Sequence, residues 1–467
     1  MNSNYKRILF TLVFLLLISL LWQSIHRYFG HDEFEHIHSA WYIANGFIPY
    51  VDFFQHHHPL LWFIILPFFK LFGSSIELVL ATRILVFIFT IGIFVLVHRI
   101  TLKLTYSDEV SLIAVLLLLS VVLFSNKIIE VRPDVPQVFF GLLSVYFFLK
   151  YLEDYSSSAM IYAGLCASLS FLFLQKTIFL LLAYTIVFGL LFILKKINLR
   201  SLLLFAGSFS LPLIFFLLYI IFFNSFDDYL LTNWLVNMNA VRIFSPFKYF
   251  EKSFKVNYVF WILSVFFSIY LLFNRKTELP IKIISFLALF LLGSVFSVPN
   301  PYEQYFLFTI TLLSIIGAYG FTTINSKINF SWKFRVLLLI LVIALPVYKI
   351  SSRIQKTNLK QLEKIDFVIK NTTDSDTVYD GNITFNLFRQ DIHYFWFYIG
   401  KNGGLDTYNK LTNNRYGDFN LCFLIRSKRP KIISNFMINM NECGLDELYS
   451  KTDHGLFLKT DLTVKDY

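Results

Sequence analysis

Seven of the ten histidines in this chain fall between positions 26 and 62: His26, His31, His36, His38, His56, His57 and His58. Asp32, Glu33 and Glu35 stand among them. Imidazoles and carboxylates move protons near neutral pH, contact phosphate oxygens and ligate divalent metals. The chain is 56% hydrophobic, so this much polar chemistry in one segment points to a site rather than a solvated turn. Asp32 and His36 are four residues apart and would share a helix face, as would His31 and Glu35. A divalent metal, if one binds, would take Asp32 and His36. Three consecutive histidines cannot easily all reach one ion. The competing reading is that the histidines line an interface or meet phosphate, and that Asp32 and Glu33 are simple first-turn charges favoured by the helix dipole.

The elements that must hold these residues follow from the pattern around them. From Asp32 to Asn45 the apolar residues Phe34, Ile37, Trp41 and Ile43 or Ala44 recur at helical spacing, and Gly46 is placed to close a helix. The segment follows directly on an apolar block, so the helix is expected to lie along a membrane surface. Pro49 breaks it. The run Leu60 to Phe72, about 13 residues, is too short to span and predicts a second interfacial helix. Trp41, Tyr42, Tyr50 and Trp62 suit a headgroup zone.

The rest of the 467-residue chain is built to cross a bilayer. Charged residues make up 15%, against about 25% in soluble domains. Apolar blocks long enough to span about 30 Å of hydrocarbon predict about eleven helices, near 8–24, 77–98, 109–125, 135–150, 159–174, 177–194, 201–223, 257–273, 281–298, 304–322 and 335–350. The first is read as an uncleaved anchor, because no small-residue cleavage site follows it. The net charge of +11 then belongs to flanking loops, anionic lipid and phosphate, and is not a nucleic-acid footprint.

Lysine and arginine set the orientation. With the N-terminus inside, each inner connection is basic: Lys6 and Arg7; Arg99 and Lys103; Lys150; Lys195, Lys196 and Arg200; Arg275, Lys276 and Lys282; Lys327, Lys333 and Arg335. The outer segments are then 25–76, 224–256 and everything after about 351. That tail is polar and mixed, with short alternating runs at Thr377–Tyr379 and Leu421–Ile425 that predict a small extracytoplasmic α/β domain over 351–467. Cys422 and Cys443 lie in it and are free to pair if it is extracytoplasmic.

An acidic pair after the first span, a surface helix and an aromatic entry into a second short helix (Phe54-Gln-His-His-His-Pro59-Leu60) resemble the C-type (GT-C) integral-membrane glycosyltransferases. The similarity is to the branch of protein O-mannosyltransferases and lipid A aminoarabinose transferases. Glu130-Val-Arg132-Pro133-Asp134 is similar to an R-P-D entry to the fourth span. Asn300-Pro-Tyr302-Glu303-Gln304-Tyr305 resembles a P-x-x-Q-Y element before a late span. The resemblance covers about residues 1–350, taken as the catalytic module, with the active site in the first outer loop.

It implies a donor sugar on a polyisoprenyl phosphate, transferred at the outer face of a plasma or inner membrane with inversion. The acceptor is left open among protein, lipid and polymer. Membrane lipids are the surroundings, and no certain cofactor is implied. Carried onto this chain, Asp32 is the base, with Glu33 the second candidate. His57 or His58, where the usual H-P-P is altered to H-H-P, contacts the lipid phosphate with Arg83 and Arg132 in support. Asp134, Tyr302, Glu303 and Gln304 line the substrate groove. Two other classes compete. A transporter or flippase of lipid-linked sugars would place acids within spans and show repeats. A polysaccharide ligase would carry one large loop between late spans.

Overall fold

A computed structural model of the protein describes residues 3–417 and 419–460. Among them, eight helices are long and apolar enough to cross a membrane: Ser3–His26, Ile76–Thr105, Asp134–Asp154, Gln175–Ile193, Leu199–Phe222, Lys248–Phe273, Glu303–Ile328 and Trp332–Ser351. Two further expected spans are shorter, Ser157–Phe173 and Leu279–Val295. The expected span at 109–125 is divided into Asp108–Ser120 and Val122–Lys127.

The division has a partner. Val121 adopts an extended backbone (φ −72°, ψ 111°), and Asn257, inside Lys248–Phe273, departs from helical angles (φ −114°, ψ 34°). The Asn257 amide bridges the break. Its Nδ2 donates to the Ser120 carbonyl at 3.1 Å, and its Oδ1 accepts from the Val122 N–H at 3.1 Å. In an apolar bundle a broken helix leaves backbone groups that water cannot satisfy, so a buried side chain must do so. Close approach elsewhere rests on small residues. A Cβ at Gly164 would collide with the Phe205 carbonyl oxygen, and one at Gly317 with Ser264.

The chain condenses into two compact units. One holds the first helix with Arg83–Leu217 and Arg242–Lys356; the other holds Tyr28–Thr82, Leu218–Val241 and the segment from Thr357 onward. The loop after the first helix therefore belongs to the same unit as the C-terminal segment. Helices form over both stretches expected to be helical, His31–Ala44 and Leu60–Phe72. Gly46 takes the left-handed φ of +88° just past the end of the first, where a side chain would be strained.

The C-terminal segment carries a five-stranded mixed sheet in the order β2-β1-β3-β5-β4. Its strands are β1 (Thr377–Tyr379), β2 (Gln390–Asp391), β3 (Ile432–Ile433), β4 (Tyr449–Lys451) and β5 (Phe457–Lys459). β1 runs parallel to β2 and β3, and β5 antiparallel to β3 and β4. The amphipathic helix Leu359–Asn371 contributes Val368 to a core of Val378, Phe385, Ile432 and Leu456. One expectation is corrected: Leu421–Ile425 is not a strand but the start of the helix Leu421–Lys428. The Asn420 side chain accepts from the Phe423 N–H at 2.9 Å and so caps it, a local signal that outweighs a short apolar run. Cys422 on this helix is disulfide-bonded to Cys443.

Candidate functional site

In the unit that holds the first loop, Gly30 caps the helix His31–Ala44, and Glu33 turns back so that its Oε1 accepts the Gly30 N–H at 2.8 Å. Glu33 is fully buried in this capping role. Asp32 stands one position earlier and is half-buried. Of the two acids, the structure thus gives Glu33 the capping contact at the helix start, and Asp32 stands beside it in the first turn.

One turn further on, a polar cluster is assembled under the loop 53–62. Glu35 and His36 are buried. Gln55, also buried, donates from Nε2 to Glu35 Oε1 at 2.8 Å and to Ser39 Oγ at 2.9 Å. The same amide accepts the N–H groups of His56 and His57 at 2.8 and 3.3 Å. One glutamine therefore sets both the carboxylate and the histidine turn. His57 Nε2 lies 3.9 Å from Glu35 Oε1. Trp62 Nε1 donates to His36 Nδ1 at 3.1 Å.

His58 is turned elsewhere: it is fully buried, with Nε2 3.0 Å from the Tyr229 hydroxyl. Between the two neighbours that the resemblance could not separate, His57 is the one beside the acidic helix. Burial pushes the Tyr229 hydroxyl up to about 12, so it stays protonated and available as a donor at neutral pH.

Glu35, His36 and His57 present one carboxylate oxygen and two ring nitrogens within 4.8 Å of one another. This set differs from the Asp32 and His36 pair expected for a metal. His36 is common to both sets. The third member comes from a loop about 20 residues away, and no periodicity reports that.

The same unit stitches the first loop to the C-terminal segment. The Phe54 N–H donates to the Tyr394 carbonyl at 3.0 Å, and Trp396 Nε1 donates to the Phe54 carbonyl at 3.0 Å. Asp391, buried at the end of β2, accepts from the Tyr42 hydroxyl at 3.0 Å and from Asn386 at 3.2 Å, and faces His38 Nε2 at 2.7 Å. Burial raises the Asp391 carboxyl above its usual range, against the opposing pull of His38. Sequence reading missed Asp391 entirely, because His38 and Tyr42 lie 353 and 349 positions away.

In the other unit the remaining expected residues form a string of charges. Arg83 is fully buried and donates to the carbonyls of Ser24 and Arg27 at 3.1 and 2.6 Å, closing the end of the first helix. Arg27 reaches the Asn126 carbonyl at 2.7 Å and Glu130 at 3.5 Å. Lys127 holds both Glu130 oxygens at 3.0 Å. Arg132 pairs with Asp134 at 3.3 Å, and Lys176 pairs with the other Asp134 oxygen at 2.5 Å. Lys176 also sits 3.7 Å above the Tyr305 ring. Four cations (Arg27, Lys127, Arg132, Lys176) thus gather around two carboxylates, and a positive cluster of this kind suits an anion. Lys176 and Arg27 were not singled out in the sequence, although a lysine in a two-residue connection between apolar blocks was a signal.

Gln304 lines a cleft with Gln137, Lys176, Tyr305 and the apolar Phe179 and Phe308. Tyr302 is exposed and packs its ring on Phe244. Glu303 is half-buried and opposes the downward pull of burial on Arg353.

The fold is that of a multi-pass α-helical membrane protein whose first-loop helices join a small α/β domain. Comparison with known proteins narrows this. Residues 56–222 match the family model for dolichyl-phosphate-mannose-protein mannosyltransferase. ArnT from Cupriavidus metallidurans, solved bound to undecaprenyl phosphate, superposes with a TM-score of 0.69 at 11% identity, over 99% of each chain. The oligosaccharyltransferase AglB from Archaeoglobus fulgidus, solved with an inhibitory peptide and a dolichol-phosphate, gives a TM-score of 0.55 at 13% identity, over 100% of this chain and 75% of that one. No curated protein matches the chain by sequence. The fold of these membrane transferases is the fold of this protein, and the resemblance read from the first-loop motifs agrees with it.

Proposed function

We infer that the protein transfers a sugar from a polyisoprenyl-phosphate donor to an acceptor at the outer face of the cell membrane. The observation that carries this reading is the end-to-end agreement of the fold with ArnT bound to undecaprenyl phosphate, joined to the mannosyltransferase family match over residues 56–222. The N-terminus is placed inside and the C-terminal domain outside. The charge pattern of the loops supports this, and so does the Cys422–Cys443 disulfide, since such bonds persist in oxidising compartments.

Asp32 is the base. An acceptor hydroxyl or amine attacks the anomeric carbon, its proton passes to the Asp32 carboxylate, and the bond from that carbon to the lipid phosphate oxygen breaks on the opposite side. The result is inversion. The phosphate is already a good leaving group, so the protein's task is to position it and stabilise its charge. His57 has the chemistry for that within the first-loop unit; taken by itself, the other unit offers the cationic Arg132 and Lys176 and a cleft beside Gln304 with an amphipathic lining. The transporter alternative has less support. In the described residues Glu130 and Asp134 are ion-paired near span ends, whereas a translocation path needs ionisable groups near the bilayer midplane.

The test is transfer of radiolabelled hexose from polyprenyl phosphate in membranes carrying matched amounts of wild-type protein or Asp32→Asn. Wild type is expected to label an acceptor, and Asp32→Asn to lose transfer by roughly 10²–10⁴-fold, the usual worth of a general base. Equal transfer by both removes Asp32 from the chemistry. No transfer by wild type across several donor sugars overturns the reading.

A further inference from the structure

We propose that Glu35, His36 and His57 form a binding site for one divalent transition-metal ion of the zinc class. The proposal does not depend on the transferase reading, because it concerns binding and is measured without any sugar donor.

The donor set is the first argument. Two imidazoles and one carboxylate are a recurrent zinc set, with a fourth position left open for water or another oxygen. The three ligand atoms already lie within 4.8 Å of one another. A bound ion needs them at about 2.0–2.2 Å from itself, which asks for a small inward movement. His57 can supply it, since it is only partly buried and sits on a loop.

The support around the ligands is the second argument. Metal ligands are normally oriented by hydrogen bonds from a surrounding layer. Gln55 plays that part here, holding Glu35 Oε1 at 2.8 Å while fixing the backbone of His56 and His57. A single buried amide thus sets two of the three ligands relative to each other. His56 adds its ring beside His57, with centroids 4.2 Å apart, whereas His58 is committed to Tyr229.

Trp62 makes the proposal sharper. An indole N–H can only donate, so its 3.1 Å contact makes His36 Nδ1 an acceptor and puts the ring proton on Nε2. Binding of an ion at Nε2 requires that proton to move to Nδ1, which costs the Trp62 contact. Binding at Nδ1 displaces Trp62 directly. Either way the indole opposes the ion. A purely structural Trp62 would predict that its removal weakens everything nearby. The present reading predicts tighter metal binding.

The experiment uses the full chain in detergent, stripped with a chelator and titrated with Co²⁺, whose visible absorption reports the ligand field, with retained zinc measured by elemental analysis after dialysis. Wild type is expected to bind one equivalent. Glu35→Gln and His57→Ala are expected to weaken binding at least tenfold, and Trp62→Phe to strengthen it by up to about tenfold, the worth of one neutral hydrogen bond. Wild-type protein that binds no Co²⁺ or zinc overturns the proposal. So does binding that His57→Ala leaves unchanged, which would place the ion elsewhere. His57 is partly exposed, so that variant remains informative if Glu35→Gln fails to fold. Trp62→Phe that weakens binding overturns the tautomer argument and with it the assignment of His36.

Discussion

The two units hold buried charge in opposite ways. In the bundle unit each buried carboxylate is gripped by permanent cations: Glu130 by Lys127 and Arg27, Asp134 by Arg132 and Lys176. In the first-loop unit two buried carboxylates meet neutral donors and imidazoles. Glu35 meets Gln55 and His57; Asp391 meets Tyr42, Asn386 and His38. Arginine and lysine keep their charge at any physiological pH, whereas imidazole does not. A carboxylate locked by fixed cations is framework, and one facing titratable or neutral partners can change its proton or ion occupancy. That difference is why we place metal chemistry at Glu35 in the first-loop unit and treat the Glu130 and Asp134 pairs as framework in the other.

The comparison breaks most visibly at Asp134. Asp134→Ala leaves Arg132 and Lys176 without their shared partner in a buried setting, and should cost about 3–5 kcal/mol. The measurement is thermal unfolding in detergent, and an unchanged midpoint would mean that the network is not closed. His38→Ala should cost less, about 1–3 kcal/mol, because Asp391 keeps Tyr42 and Asn386. Limited proteolysis should then show earlier cleavage near β2. An effect as large as that of Asp134 would erase the proposed contrast.

Glu33→Ala should be smaller again, about 1 kcal/mol for a lost cap contact, with sugar transfer per folded molecule retained. Loss of transfer without loss of stability would move the base from Asp32 to Glu33.

The smallest effect is a slope with pH. His393 packs against the rings of Phe395, Tyr416 and Phe419, and burial lowers its pKa below the usual 6.5. The folded state therefore prefers the neutral ring. Its contribution is complete above about pH 6.5 and is lost as pH falls through the lower folded value. Unfolding temperatures should decline on acidification, and His393→Phe should flatten that decline. An unchanged slope would assign it to other groups.

Much of this was legible in the chain. The apolar blocks, the two surface helices with their Gly46 stop, and the concentration of acid and imidazole in the first loop follow from composition and period. Local sequence reports these because a helix repeats every 3.6 residues and a bilayer sets its own length. The alternating run at Leu421 misled for a related reason: five residues carry too little period to outweigh the Asn420 cap.

What the sequence by itself determined is therefore the class of protein: a multi-pass helical membrane chain with a polar outer loop and a small mixed domain. Only the tertiary structure decided which of the candidate groups work together. It turned Glu33 into a cap and His58 toward Tyr229, closed Asn257 over the helix break at Val121, drew Lys176 onto Asp134, and brought His57 to Glu35 and His36. Each of these is a contact between residues distant in sequence or a choice between adjacent ones. Such contacts are selected by packing and by the need to satisfy every buried polar group, and neither leaves a periodic trace along the chain.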